Sequence, residues 1–135
     1  MDIGTEKADR IVNVGSAANL YSLYSTAVTL MGRKARKVAL GITFLEKGSC
    51  ALRDCSKTAK QLSEIKVILG NHAPSEAVWD IEHPNILAPW VGHLSPDITS
   101  CANLYTTSEG ELLIEELLSL LQFADTTKQN VVVLG

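Results

Sequence analysis

A chain of 135 residues with 46% hydrophobic and 20% charged side chains can bury one real core and is far from a disordered composition. Aromatic residues are only 5%, so Leu, Ile, Val and Ala must fill that core, which favours packed helices over a β-sandwich. The net charge is only −3, so any directed field has to come from how the charges are distributed.

In chain order, the first eight residues read as a flexible leader. Their acidic start, Met1-Asp2-Ile3-Gly4-Thr5-Glu6, lacks the basic-then-apolar run of a secretory signal. A helix is predicted from about Ser16 to Met31, with Ser16 as N-cap and Gly15 and Gly32 as punctuation. From Ile11 to Gly32 there are 22 uncharged residues, followed by Arg33, Lys34, Arg36 and Lys37, which is the outline of a membrane span with a basic flank. The interior argues against it. Asn19, Ser22, Ser25, Thr26 and Thr29 form an uncharged polar side, with Leu20, Tyr24, Ala27 and Met31 on another, so the stretch is an amphipathic helix and an integral membrane protein is not expected.

The next helical stretch runs from about Arg33 to Leu69. Val38, Ile42, Leu45, Leu52, Cys55, Ala59, Leu62 and Leu69 follow an approximate seven-residue repeat. Gly48 is expected to split it into two helices, and Gly70-Asn71 to end it. A short helix over Ala77–His83, a second short piece over Asn85–His93, and a helix opened by Ser95-Pro96-Asp97 and running to Tyr105 are predicted next. Ser108 is expected to cap a last helix from Glu109 to Phe123 that buries Leu112, Leu113, Leu117, Leu120, Leu121 and Ala124. Only Val131-Val132-Val133-Leu134 is strongly β-prone, and one strand makes no sheet. The expectation is therefore a single all-α domain over 1–135, a bundle of five or six helices, with 1–8 as leader and 126–135 as an irregular or β-prone tail.

No catalytic or metal motif is found, so no cofactor, no metal and no enzymatic activity are expected. Cys50 and Cys55 would point to different faces of a helix, and Cys55 and Cys101 read as small buried hydrophobes. Asp80 and His83 sit three apart, but the second half of a paired acidic-x-x-His arrangement is missing. A hydrolase or metal enzyme around Asp80, His83 and His93 is the least favoured reading. Three cysteines is an odd number, and none of the six asparagines has the Ser or Thr of a glycosylation site, so an intracellular, cytoplasmic protein is expected.

Charge is the most informative feature. Arg33–Lys66 holds nine basic and three acidic residues, whereas Val67–Gly135 holds one basic and nine acidic. Arg33, Lys34, Arg36, Lys37, Arg53, Lys57 and Lys60 are the candidate site for an acidic partner or a polyanion. Alternatively, the basic helix packs beside Glu109, Glu111, Glu115 and Glu116 and is neutralised there. Asn19, Ser22, Ser25, Thr26 and Thr29 are the candidate helix-packing or self-association face. The sequence thus points to a non-enzymatic protein–protein interaction or assembly module that binds a protein partner or itself. Nucleic-acid or anionic-membrane binding through 33–60 is the alternative, and no small-molecule substrate is evident.

Overall fold

A computed structural model describes all 135 residues, Met1–Gly135. Strand β1 (Asp2–Thr5) is the centre of a three-stranded antiparallel sheet, with β2 (Ile11–Asn13) on one edge and β3 (Val131–Val133) on the other. Ile3 stands opposite Val12 in one ladder and Val133 in the other. Thr5 closes the β1–β2 turn. Its carbonyl accepts from the Ala8 amide at 2.8 Å, and its hydroxyl bonds the Asp9 carboxylate, which holds that carboxyl below its ordinary value. A Cβ on Gly4 would lie 2.6 Å from the Arg10 carbonyl oxygen and 2.7 Å from Leu134, so the central strand needs glycine there. Alternation along the strands sends Ile3, Thr5, Val12, Val14 and Val131 inward.

Four α-helices follow. Helix α1 (Ala17–Met31) starts where the Ser16 hydroxyl accepts from the Asn19 amide at 3.1 Å, an N-cap that satisfies an otherwise orphan donor. After Gly32 the chain continues as a 3-10 segment, Gly32–Val38, before α2 (Ala39–Lys47) and α3 (Leu52–Gly70). Gly48 separates them in a left-handed conformation, φ 75°, which glycine adopts without a Cβ penalty. Helix α4 (Leu113–Thr127) packs along α3 and against all three strands. It buries Leu113, Ile114, Leu117, Leu118, Leu120, Leu121 and Ala124, each leucine contributing about 1.5–3 kcal/mol by leaving water. The buried apolar residues of sheet and helices form one contiguous cluster.

The expected bundle of five or six helices is therefore wrong: the fold combines four α-helices with an antiparallel sheet. The first reason lies at the two ends. The supposed leader is the middle strand, and the β-prone tail finds its partner at the opposite end of the chain, a pairing no local pattern displays.

The second reason is the stretch after α3. Helices expected over Ala77–His83, Asn85–His93 and Ser95–Tyr105 do not form. One 3-10 turn, Pro74–Glu76, precedes a run from 77 to 112 without helix or strand. All four prolines, Pro74, Pro84, Pro89 and Pro96, fall in this region. Its polar side chains close isolated turns: Asp80 accepts from the Glu82 amide, Ser95 from Asp97, and Asn103 from Thr99 and Ser100. A residue that suits a helix cap serves such a turn equally well. Helix α4 likewise starts at Leu113, because Thr107 rather than Ser108 takes the Glu109 and Glu111 amides, and Leu112 stays exposed.

Candidate functional site

The polar side of α1 anchors the irregular segment. Ser22, Ser25 and Thr26 are fully buried. The Ser22 and Thr26 hydroxyls both reach the Val78 carbonyl, at 2.9 and 3.1 Å, and the Tyr105 hydroxyl, at 2.8 and 2.7 Å. Thr26 also accepts from the Val78 amide at 2.8 Å, and Ser25 from the Ile81 amide at 3.1 Å. Asn19 donates to the Val14 and Thr106 carbonyls. Thr29 alone of this face is exposed, bonded to the Ser25 carbonyl. The space a docking helix would occupy on this face holds residues 78–106 of the same chain. Burial pushes the Tyr105 hydroxyl up to about 12, against the pull of its bonds to Ser22 and Thr26.

On this anchored base stands an aromatic stack. Trp90 meets Tyr105 edge-on at 5.7 Å between centroids, and Trp79 likewise at 5.3 Å, a favoured arrangement of ring quadrupoles. Outside it, Ile86, Leu87 and Val91 are 53%, 74% and 51% exposed. With Trp79, Trp90 and Leu94 they line a cavity of about 350 Å³. No Lys or Arg occurs between Lys66 and Lys128, so apart from its histidines the ionisable side chains of this segment are acidic, Glu76, Asp80, Glu82 and Asp97 among them. Asp80 and His83 do meet, at 3.0 Å, in a surface turn rather than on a helix. No motif or periodicity in the sequence marks the exposed apolar residues Ile86, Leu87 and Val91 as a surface. The available signal was the confinement of both tryptophans and all four prolines to a stretch lacking cationic side chains.

The seven basic residues of the sequence reading are all exposed. None of them has a carboxylate within ion-pair distance. Of the neutralising contacts expected between the basic stretch and Glu109, Glu111, Glu115 and Glu116, only Lys66–Glu115 forms. Glu109, Glu111 and Glu116 instead gather beside Asn13 and Thr107, where a hydrogen bond with Glu111 raises the Glu116 carboxyl above its ordinary value. The cations divide into two groups. Lys34 and Lys37 rim an apolar cleft of about 310 Å³ with Met31, Val38, Val67 and Ile68. Arg53, Lys57 and Lys60 occupy the first half of α3. At 1.5 Å per residue, Lys57 lies about 15 Å along the axis from Val67.

The three cysteines are free and buried. Cys50 precedes α3, its backbone paired with Val131, and lies beside Cys55. Burial, then the neighbouring Cys50, pushes the Cys55 thiol up to about 12, and burial pushes Cys101 up to about 11. Thiols this hard to ionise are poor nucleophiles. Nowhere do three His, Cys, Asp or Glu side chains gather as metal ligands.

The exposed apolar residues of the anchored segment and the unpaired cations are two surfaces open to a partner. The chain belongs to the Immunity protein 70 family, whose family model matches residues 5–133, from the end of β1 through β3. No curated protein and no solved structure matches the chain. No helix is long and apolar enough to cross a membrane.

Proposed function

We propose that this chain confers immunity to a protein toxin by binding it non-covalently and blocking its action. The observation that carries this reading is the match to an immunity-protein family over residues 5–133. The geometry supports it. The irregular run from 77 to 112 is far longer than the roughly 12–15 residues beyond which loops are usually functional or disordered, and here it is held by buried hydrogen bonds. Arg33, Lys34, Arg36 and Lys37, and separately Arg53, Lys57 and Lys60, supply exposed cations that attract acidic groups of the partner and speed encounter.

The test is protection of cells producing candidate toxin domains, followed by mixing the purified chain with the toxin it neutralises. Inhibition that saturates at one chain per toxin and reverses on separation supports the proposal. Inactivation by substoichiometric chain, or toxin that stays inactive once separated, overturns it in favour of an enzymatic mechanism. The exposed cations have their own arm: tight binding of RNA or anionic vesicles, lost on neutralising Arg33, Lys34, Arg36 and Lys37, would assign these four to a polyanion instead.

A further inference from the structure

The apolar loop surface has a charge pattern that selects its partner. Leu87 is the most exposed large hydrophobic residue of the chain, at 74%, and Ile86 and Val91 beside it are half exposed. These side chains and the cavity of about 350 Å³ they share with Trp79 and Trp90 form a patch that a chain without a partner would leave in water. The segment is anchored on either side of the patch, where Val78, Ile81 and Tyr105 are hydrogen-bonded to buried hydroxyls of α1, and Trp90 packs edge-on against Tyr105. No buried side-chain polar atom is without a hydrogen-bond partner. A preorganised aromatic-backed surface loses little freedom on binding, which is the condition for a tight contact.

Resting on the immunity reading, we propose that residues 77–94 are the central contact of the complex and receive an apolar protrusion of the toxin flanked by Lys or Arg. The occupant follows from charge complementarity. Glu76, Asp80, Glu82 and Asp97 each lie within three residues in sequence of a residue lining the patch, and no Lys or Arg of this chain lies between Lys66 and Lys128. An acidic partner surface would meet like charge here, and a neutral apolar one would leave Glu82 and Asp97 without a cationic partner, Glu76 and Asp80 being bonded to His72 and His83. The patch and the exposed cations thus ask for opposite charges at different places on one partner, which fixes its orientation.

Trp79 and Trp90 are the only tryptophans of the chain, so intrinsic fluorescence reports on this surface alone when the probe has none. Two probes decide the matter: a tryptophan-free peptide of alternating Lys and Leu, and the toxin identified by protection. The Lys–Leu peptide is expected to shift the tryptophan emission, more weakly as salt rises, and a Glu–Leu peptide is not. With Leu87→Ser and Val91→Ser combined, the peptide shift is expected to vanish and toxin dissociation to quicken at least ~10-fold. Both residues are exposed, so the variant keeps its fold, which an unchanged thermal midpoint verifies. Equal response to the two peptides, toxin affinity within about twofold of the parent, or burial of the patch by a second copy in sedimentation overturns the proposal. If no toxin is neutralised, the immunity reading falls by itself, and the peptide pair still decides whether the surface selects basic, apolar chains.

Discussion

The Tyr105 hydroxyl lies 2.7 Å from the Thr26 hydroxyl, so a residue of the irregular segment is fastened to the middle of α1 by groups shut off from water. Ser22 completes the cluster at 2.8 Å. Removing the phenolic oxygen with Tyr105→Phe leaves Ser22 with the Val78 carbonyl and Thr26 with the Val78 carbonyl and amide, but empties one polar position. A buried hydrogen-bonding group left short of a partner costs about 1–3 kcal/mol. The expected result is that loss in chemical denaturation, with amide exchange quickening at Val78 and Ile81 before the rest of the chain. Uniform exchange would show that this cluster does not hold the segment.

How far the sequence reveals this fold is clearest where it repeats itself. Ser16–Ser22 and Ser100–Thr106 are similar heptapeptides, and the helix predicted for both forms only in the first. The Ser16 segment runs on into the apolar periodicity of Leu20, Leu23 and Ala27, which the core rewards. The Ser100 segment ends in Thr106 and is followed by Thr107-Ser108, and Asn103 and Ser100 spend their side chains on local turns. Helices with long apolar stripes and strong stops, α1 and the pair divided at Gly48, were legible. The sheet was not, because Ile3, Val12 and Val131 come from short strands at opposite ends of the chain. The exposure of the seven basic residues was undecidable locally, since it depends on which carboxylates approach them. For the hydroxyl face of α1 the sequence allows both a covered and a solvated side, and the bonds of Ser22, Ser25 and Thr26 to Val78, Ile81 and Tyr105 are visible only in three dimensions.

The central strand gives a sharp test of the corrected fold. Ile3 is wholly buried and paired on both sides. Ile3→Ala is expected to cost about 2–5 kcal/mol, as other large-to-small changes in cores do. Deleting residues 1–8 separates β2 from β3 and should abolish cooperative thermal unfolding. A flexible leader would be removable without effect on either measurement.

The thiols predict a pH dependence of their chemistry. With Cys101 raised to about 11 and Cys55 to about 12, at most roughly one in a thousand of either is thiolate at pH 8. Native protein should therefore resist iodoacetamide at both positions, with rates rising about tenfold per pH unit below those values. Peptide mapping after alkylation in urea, where burial is gone, should find both labelled rapidly.

Glu116 carries a pH dependence of stability. Its carboxyl is raised above the ordinary glutamate value of 4.5, first by its hydrogen bond with Glu111, and that bond needs a proton between the two groups. A raised folded value means a contribution fully present below the unfolded value and lost as pH rises through the folded one. Glu111→Gln supplies a donor that does not titrate away. Its thermal midpoint should match the parent in acid and rise above it as pH passes upward from 4.5. Parallel curves at all pH values would refute the shared proton.

The last prediction separates the roles of the two candidate surfaces. The cations at Arg33, Lys34, Arg36 and Lys37 are exposed and unpaired, so they act on the partner chiefly through a field that salt screens within about 10 Å at 0.1 M. Neutralising all four should slow association with the toxin by about tenfold or more at low ionic strength, leave dissociation nearly unchanged, and lose its effect at high salt. Because no intrachain ion pair is broken, stability should stay within about 0.5 kcal/mol of the parent. Stopped-flow association and dissociation rates at two salt concentrations check this directly. A change confined to the dissociation rate would mean that these residues are desolvated in the complex, and the cleft of Met31, Val38, Val67 and Ile68 between them would then be part of the buried contact.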